Sequence, residues 1–384
     1  MQASNAVWTS IIAKMNYCHG ILCRQPMGVA AWRERFTESR DPGMQREHVQ
    51  TTLLYRRLIR GMAAFFDCAS SEDAVLEARR GRDGDALIGD LLRAARIEAL
   101  LIDQGYPPQD QVVPAVDLGR LAGCRTFPML RVEVLMQELI VAHDTLDAVV
   151  EALRAALVDV RAQGYVALKS IAAYRTGLDI RRWAATDAQA AFEEARREAV
   201  ETGTLRLAHK PLLDTLLHVV FHEAARQEVP IQFHVGYGDA DADMLRANPL
   251  RLRAVLEERA YRSMPVVLLH ECYPYTREGA YLAAVYENVY LDLSYGIPFL
   301  GYGEMATFTR AAFGVALTSK LLYSSDGVGV PELHWMSALH GRRILSEILG
   351  EIVAQGDLSV AEAEVVGAAV LRDNATRLYR LIGH

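Results

Sequence analysis

The chain has 384 residues, 51% of them hydrophobic, and a formal net charge of −7. That composition can bury a large α/β core, offers no basic field for nucleic acid, and contains no apolar run near the roughly 18 residues of a membrane span. Cys18, Cys23, Cys68, Cys124 and Cys272 are odd in number and scattered, as expected of reduced thiols in a cytoplasmic protein, not of a disulfide framework. Met1–Lys14 lacks the basic start and long apolar stretch of a secretory signal.

In chain order, Met1–Lys14 reads as a helix or ordered arm and Asn16–Leu22 as the first strand end. Arg24–Arg46 is polar and irregular and reads as a loop. His48–Phe66 has helical periodicity, and Ser70 or Ser71 before an acidic first turn predicts a capped helix to Arg80. Asp85–Ala95 is a further helix and Ala99–Asp103 a strand. Thr126–Glu133 is the next strand, with Val134–Gln163 one long helix or two. Tyr165–Ser170 is a strand, followed by a charged helix over Thr186–Thr202 and an amphipathic one over Leu212–Glu228. Ile231–Phe233, Val266–Leu269, Val289–Ser294 and Lys320–Ser324 are strands. Between them lie helices at Pro249–Arg262, Gly279–Tyr286 and Ala306–Ala316. Trp335–Gln355 and Ser359–Leu381 close the chain as helices. Strands alternating with helices imply a parallel sheet covered on both faces. The absence of G-x-G-x-x-G and G-x-x-x-x-G-K-[ST] and the polar residues at many strand ends favour a (β/α)8, TIM-like barrel over an open sheet. The reading is one domain over 1–384, with an N-terminal arm at 1–14 and C-terminal helices at 335–384.

Three strand ends repeat one figure. PIQFHVGYGD at Pro230–Asp239 ends its apolar run at His234, PVVLLHECYP at Pro265–Pro274 at His270, and KLLYSSDG at Lys320–Gly327 at Asp326. Lys169 stands near the end of Tyr165–Ser170. Barrel enzymes place catalytic residues at the C-terminal ends of their strands, so the four point to one shared site.

These stretches, with LLIDQGYPP at Leu100–Pro108, LRVE at Leu130–Glu133, LKSIAAYRTGL at Leu168–Leu178 and Leu268–Ser294, resemble the amidohydrolase superfamily in its amidohydrolase-related branch. That branch includes the hydrolase half of a fungal sporulation protein fused to a glutamine-synthetase-like domain. The resemblance implies a metal-dependent hydrolase with His19, Lys169, His234, His270 and Asp326 as metal ligands, Asp326 also handling the proton of the attacking water. The family pattern Asp-Asn-His-x-His is broken: Met15-Asn16-Tyr17-Cys18-His19 puts Tyr17 at the first metal histidine. A phenol titrates near 10 and is a poor ligand at neutral pH, so the resemblance here implies one ion, zinc by donor type, with the first-strand position impaired.

A lone histidine after an apolar run is more often structural, and His218 and His222, four apart on a helix, read as packing or surface residues. His209 reads as a loop residue. Arg131, Arg175 and Arg277 could be salt bridges at the barrel mouth, but their type suits bidentate recognition of a substrate carboxylate, one of the three being expected in that role. Tyr237, Tyr275 and Trp335 could line a pocket or pack. Glu133 reads as the partner of a buried arginine. The expected protein is a cytoplasmic, homo-oligomeric hydrolase of a C–N bond in a small carboxylate-bearing molecule, a γ-glutamyl amide being one class. Asp326, His270 and Tyr17 are its catalytic residues. The alternatives are a metal-dependent decarboxylase on the same barrel, or a barrel that has lost catalysis and serves as a binding protein.

Overall fold

The computed structural model describes residues 27–105, 112–327 and 329–381, together with the backbone of Met15–His19. The arm expected at Met1–Lys14 and the side chains of Tyr17 and His19 lie outside the described residues.

Eight strands form one sheet in sequence order. They are β1 (Met15–His19), β2 (Ala99–Asp103), β3 (Arg125–Arg131), β4 (Ala167–Ser170), β5 (Ile231–Phe233), β6 (Val266–Leu268), β7 (Val289–Ser294) and β8 (Leu321–Ser324). The pairs β1–β2, β3–β4, β4–β5, β5–β6 and β6–β7 are parallel. Every residue of β2, β4, β5, β6 and β8 is buried, as the continuous apolar runs require of a parallel sheet covered on both faces. No helix among the described residues is long and apolar enough to cross a membrane.

Several boundaries moved for local reasons. β3 stops at Arg131 and a helix begins at once at Val132, so Glu133 lies in a first helical turn. Ser71, not Ser70, caps Glu72–Arg80, its hydroxyl accepting from the Ala74 amide. The loop expected over Arg24–Arg46 contains a helix at Val29–Glu34, held by the fully buried Trp32 packed edge-on against Phe36. The helix expected at Pro249–Arg262 is three short pieces, because Asn248 and Glu258 each accept from an amide two residues on and restart the turn.

The chain divides into two compact units, Met1–Phe127 with Asp292–Arg377 and Pro128–Leu291 with Leu378–His384. In the first, the long helix Pro331–Gln355 sets the core. Its Glu332 forms a buried 2.7 Å pair with Arg79. The ring of its Trp335 packs edge-on against Phe65, with Gly61 close beneath. One turn on, His340 is 6% exposed and meets the Tyr302 ring edge-on. Arg57 and Arg343 both stack on that same ring.

In the second unit, the loops after β5 and β6 are joined backbone to backbone. The Tyr237 amide donates to the Tyr273 carbonyl at 2.8 Å. A Cβ on Gly236, whose φ is +77°, would fall 2.1 Å from that carbonyl oxygen. The sheet ladder continues past the strand ends, His234 N donating to Ser170 O and Leu269 N to Phe233 O. His270, Glu271 and Cys272 then turn through three consecutive left-handed residues, φ +63°, +51° and +54°. Non-glycine residues hold such backbone only when their surroundings over-determine it.

Two outcomes follow from this packing. Burial, then the charges of Arg57 and Arg343, push the His340 imidazole down to about 4 from an ordinary 6.5. The unfolded chain therefore binds the extra proton first, and stability falls as pH drops from 6.5 towards 4. Between pH 7 and 5 the loss should be about 2 kcal/mol, and His340→Gln should flatten that part of the melting-temperature profile; an unchanged slope would place the acid sensitivity elsewhere. Separately, Gly236→Ala should lose roughly 2–4 kcal/mol, through the left-handed φ and the collision with Tyr273. A wild-type melting temperature for it would mean that the two loops are not locked.

Candidate active site

The backbone lock brings together the two histidines that the strand ends pointed to. The His234 and His270 rings stand with centroids 4.5 Å apart, and their side chains are 6% and 2% exposed. His234 Nε2 lies 2.5 Å from the Tyr237 carbonyl oxygen. A carbonyl can only accept, so in the neutral ring Nε2 carries the proton and Nδ1 the lone pair. Fixing one ring nitrogen on a carbonyl is how proteins orient a metal-ligating imidazole.

Aromatic rings hold the pair from both sides. Tyr174 lies over His234 at 4.3 Å, and Tyr237 meets His270 edge-on at 5.3 Å. Tyr237 is 5% exposed, so its ring acts first as packing for His270. Tyr275 turns its hydroxyl to the Met244 carbonyl. Tyr174 was missed in the sequence reading. Its signal was the short run after Lys169, which forms a single helical turn, Ala172–Arg175.

Lys169 is buried on β4, in one register row with Arg131 on β3 and Gln232 on β5. Beneath the end of β4 sits Glu133. Its Oε1 accepts from the Ser170 hydroxyl at 2.7 Å and from the Ile171 amide at 3.0 Å. Burial pushes its carboxyl pKa up, against the pull of the Ser170 hydroxyl. The buried arginine expected near Glu133 is Arg131, which acts on it through its charge, while the hydrogen bonds go to the β4 terminus, so that Glu133 acts as a clamp on the strand that carries Lys169. Of the three arginines, Arg277 is exposed in the first turn of Thr276–Val285. Arg131 is 8% exposed. Arg175 is half-buried with its Nε enclosed.

In the first unit, Asp326 follows β8 with φ +44° and is 7% exposed. Its neighbour Ser325 pairs through its hydroxyl with His334 Nδ1 at 2.8 Å and accepts on its carbonyl from Ser337. Both partners lie on the helix Pro331–Gln355, which therefore fixes the backbone from which Asp326 projects. Asp292 on β7, buried, accepts from the Ser294 hydroxyl at 2.6 Å and the Ser324 hydroxyl at 3.0 Å. Asp292 and Ser294 are two apart on one strand and so share a face, a signal the sequence contained. Trp335 packs on Phe65. His218 donates to or accepts from the Tyr261 hydroxyl at 2.8 Å, and His209 lies 3.6 Å from Glu198.

As a metal centre, the described side chains supply a pair. His234 and His270 have ring centroids 4.5 Å apart, close enough for two ligands of one ion, and His234 has the carbonyl support. Among the described residues no group of three or more His, Cys, Asp or Glu gathers as a cage.

A family profile for amidohydrolases matches residues 117–381. Protein fluG of Emericella nidulans is 33% identical over 223 residues, covering 56% of this chain and 26% of fluG, so the chain spans about a quarter of that relative's length. A Lactobacillus casei protein of solved structure, provisionally named a metal-dependent hydrolase, is 27% identical with a TM-score of 0.86, over 98% of this chain and 97% of its own. Uronate isomerase from Thermotoga maritima shares the fold at 16% identity, with a TM-score of 0.66 over 99% and 98% of the two chains. Matched over more than half its length by the profile, and carrying the paired strand-end histidines, the chain belongs to the amidohydrolase family.

Proposed function

We propose that the protein is a metal-dependent hydrolase that cleaves the C–N bond of a small carboxylate-bearing amide, γ-glutamyl amides being one class, on a closed (β/α)8 barrel. The observation that carries this reading is the His234–His270 pair with its carbonyl support at Tyr237. The sequential strand order and the Lactobacillus casei relative support it. His234, His270 and Lys169 would hold one divalent ion, zinc by donor type. Such an ion supplies Lewis-acid activation of the carbonyl and of a water molecule. The chain's own residues do the rest. Tyr237, through its carbonyl, keeps the His234 lone pair on Nδ1. Tyr174 and Tyr237 keep both rings from turning. Glu133 holds the end of β4 and with it Lys169. Asp326 takes the proton of the attacking water and returns it to the leaving nitrogen, so that the amine departs neutral. Tyr17 would donate its hydroxyl to substrate, not to the ion.

Metal analysis of the protein purified without added metal should give one equivalent per chain, lost in His234→Ala and raised in Tyr17→His. Two equivalents in the unmodified protein would show that the first-strand position fills despite Tyr17, and none would remove the metal from the mechanism. Asp326→Asn should lower turnover by roughly 10²–10⁴ while leaving substrate affinity nearly intact. Release of ammonia or amine, not carbon dioxide, from the same incubations is the product expected; carbon dioxide would make the enzyme a decarboxylase.

A further inference from the structure

We propose that Arg175 is the specificity-determining residue of this site, and that with Arg131 and Arg206 beside it Arg175 takes a free carboxylate of the substrate remote from the bond that is cut. The inference rests on the hydrolase reading for the identity of the site and adds to it the group that reads the acyl chain.

Four observations in the second unit carry it. Arg175 Nε is buried and has no hydrogen-bond partner among the described residues, an expensive state for a charged donor unless something accepts from it. After burial itself, the charge of Arg206 and, more weakly, that of Arg131 hold the Arg175 guanidinium below its ordinary pKa, with Glu133 and Asp241 pulling the other way. The nearby carboxylates are Glu133 and Asp241. Glu133 is 1% exposed and gives Oε1 to Ser170 and Ile171, its Oε2 having no hydrogen-bond partner among the described residues, while Asp241 pairs with Arg206 at 3.4 Å. Arg206 also donates to the Tyr174 carbonyl at 3.2 Å, which ties it to the same turn. Finally, that turn joins Arg175 to the histidines, since Tyr174 lies on the His234 ring. A planar carboxylate fits the guanidinium fork with two parallel hydrogen bonds, and an anion here offsets the Arg206 and Arg131 charges felt at Arg175.

The class of substrate is therefore an amide whose acyl part ends in a carboxylate. The probes are glutarate and its monoamide, glutaramate, which differ only in whether both ends are charged. Titration calorimetry on the metal-loaded protein should show glutarate bound at least tenfold more tightly. Arg175→Met should abolish that preference, weakening glutarate about a hundredfold, within the range for truncating one partner of a buried charge pair. Arg175→Lys should keep the charge and recover part of the preference, and Arg277→Met should keep all of it. Against substrate, Arg175→Met should raise KM with little change in kcat. If Arg175→Met fails to fold, Arg206→Gln should still shrink the preference. An intact preference in Arg175→Met, or an unmodified protein that binds neither probe or both alike, overturns the proposal. A glutarate preference that depends on Arg175 in a protein with no amidase activity would sustain the carboxylate site while removing the hydrolase reading.

Discussion

The loops after β5 and β6 depend on one backbone hydrogen bond, from the Tyr237 amide to the Tyr273 carbonyl, and on the missing side chain of Gly236 that permits it. Each histidine stands on its own strand end, and strands in a parallel sheet lie about 4.8 Å apart. Spacing alone would leave both rings free to turn on the end of the sheet. The lock fixes the path of the chain beyond each ring and delivers the Tyr237 carbonyl to His234. The three left-handed residues from His270 to Cys272 are part of the same constraint. Their backbone costs energy, which the surrounding hydrogen bonds and buried contacts offset.

A second layer of support comes from buried polar groups within each unit. Glu133 holds the end of β4 through a hydroxyl and an amide. Asp292 gathers Ser294 and Ser324. Ser325 is held by His334 and Ser337. Each is a short-range bond from a strand end to a helix start or a neighbouring strand, and each fixes a backbone from which a candidate functional side chain projects.

Much of this was legible in the sequence. The strands were visible because apolar runs buried on both faces leave a continuous signal, and β7 was placed to the residue. His234 and His270 were visible because each interrupts such a run at its end. What was not legible depended on tertiary contact. That β3 stops at Arg131, and that Glu133 gives its hydrogen bonds to the β4 terminus while feeling the Arg131 charge, follows from where Ser170 arrives in space. The helix at Val29–Glu34 has little periodicity of its own and exists because Trp32 packs on Phe36, which packs in turn on Tyr55. Tyr174 sits in a run too short to show periodicity, so its placement over His234 came only with the fold. Trp335, an aromatic near the last strand end, had two equally good sequence readings, and local packing on Phe65 is what the structure gives it.

The acceptor that sets the His234 tautomer is a main-chain oxygen. A side-chain acceptor ties an imidazole's orientation to the identity of one residue, so that any replacement there alters the ligand. A carbonyl ties it to the path of the loop, which many residues at position 237 can follow. Position 237 can thus vary in size and polarity, and with it the wall presented to His270, while the ring of His234 stays where it is. In such a design the chemistry is inherited through the backbone and the side chain above it is left open to change with the substrate.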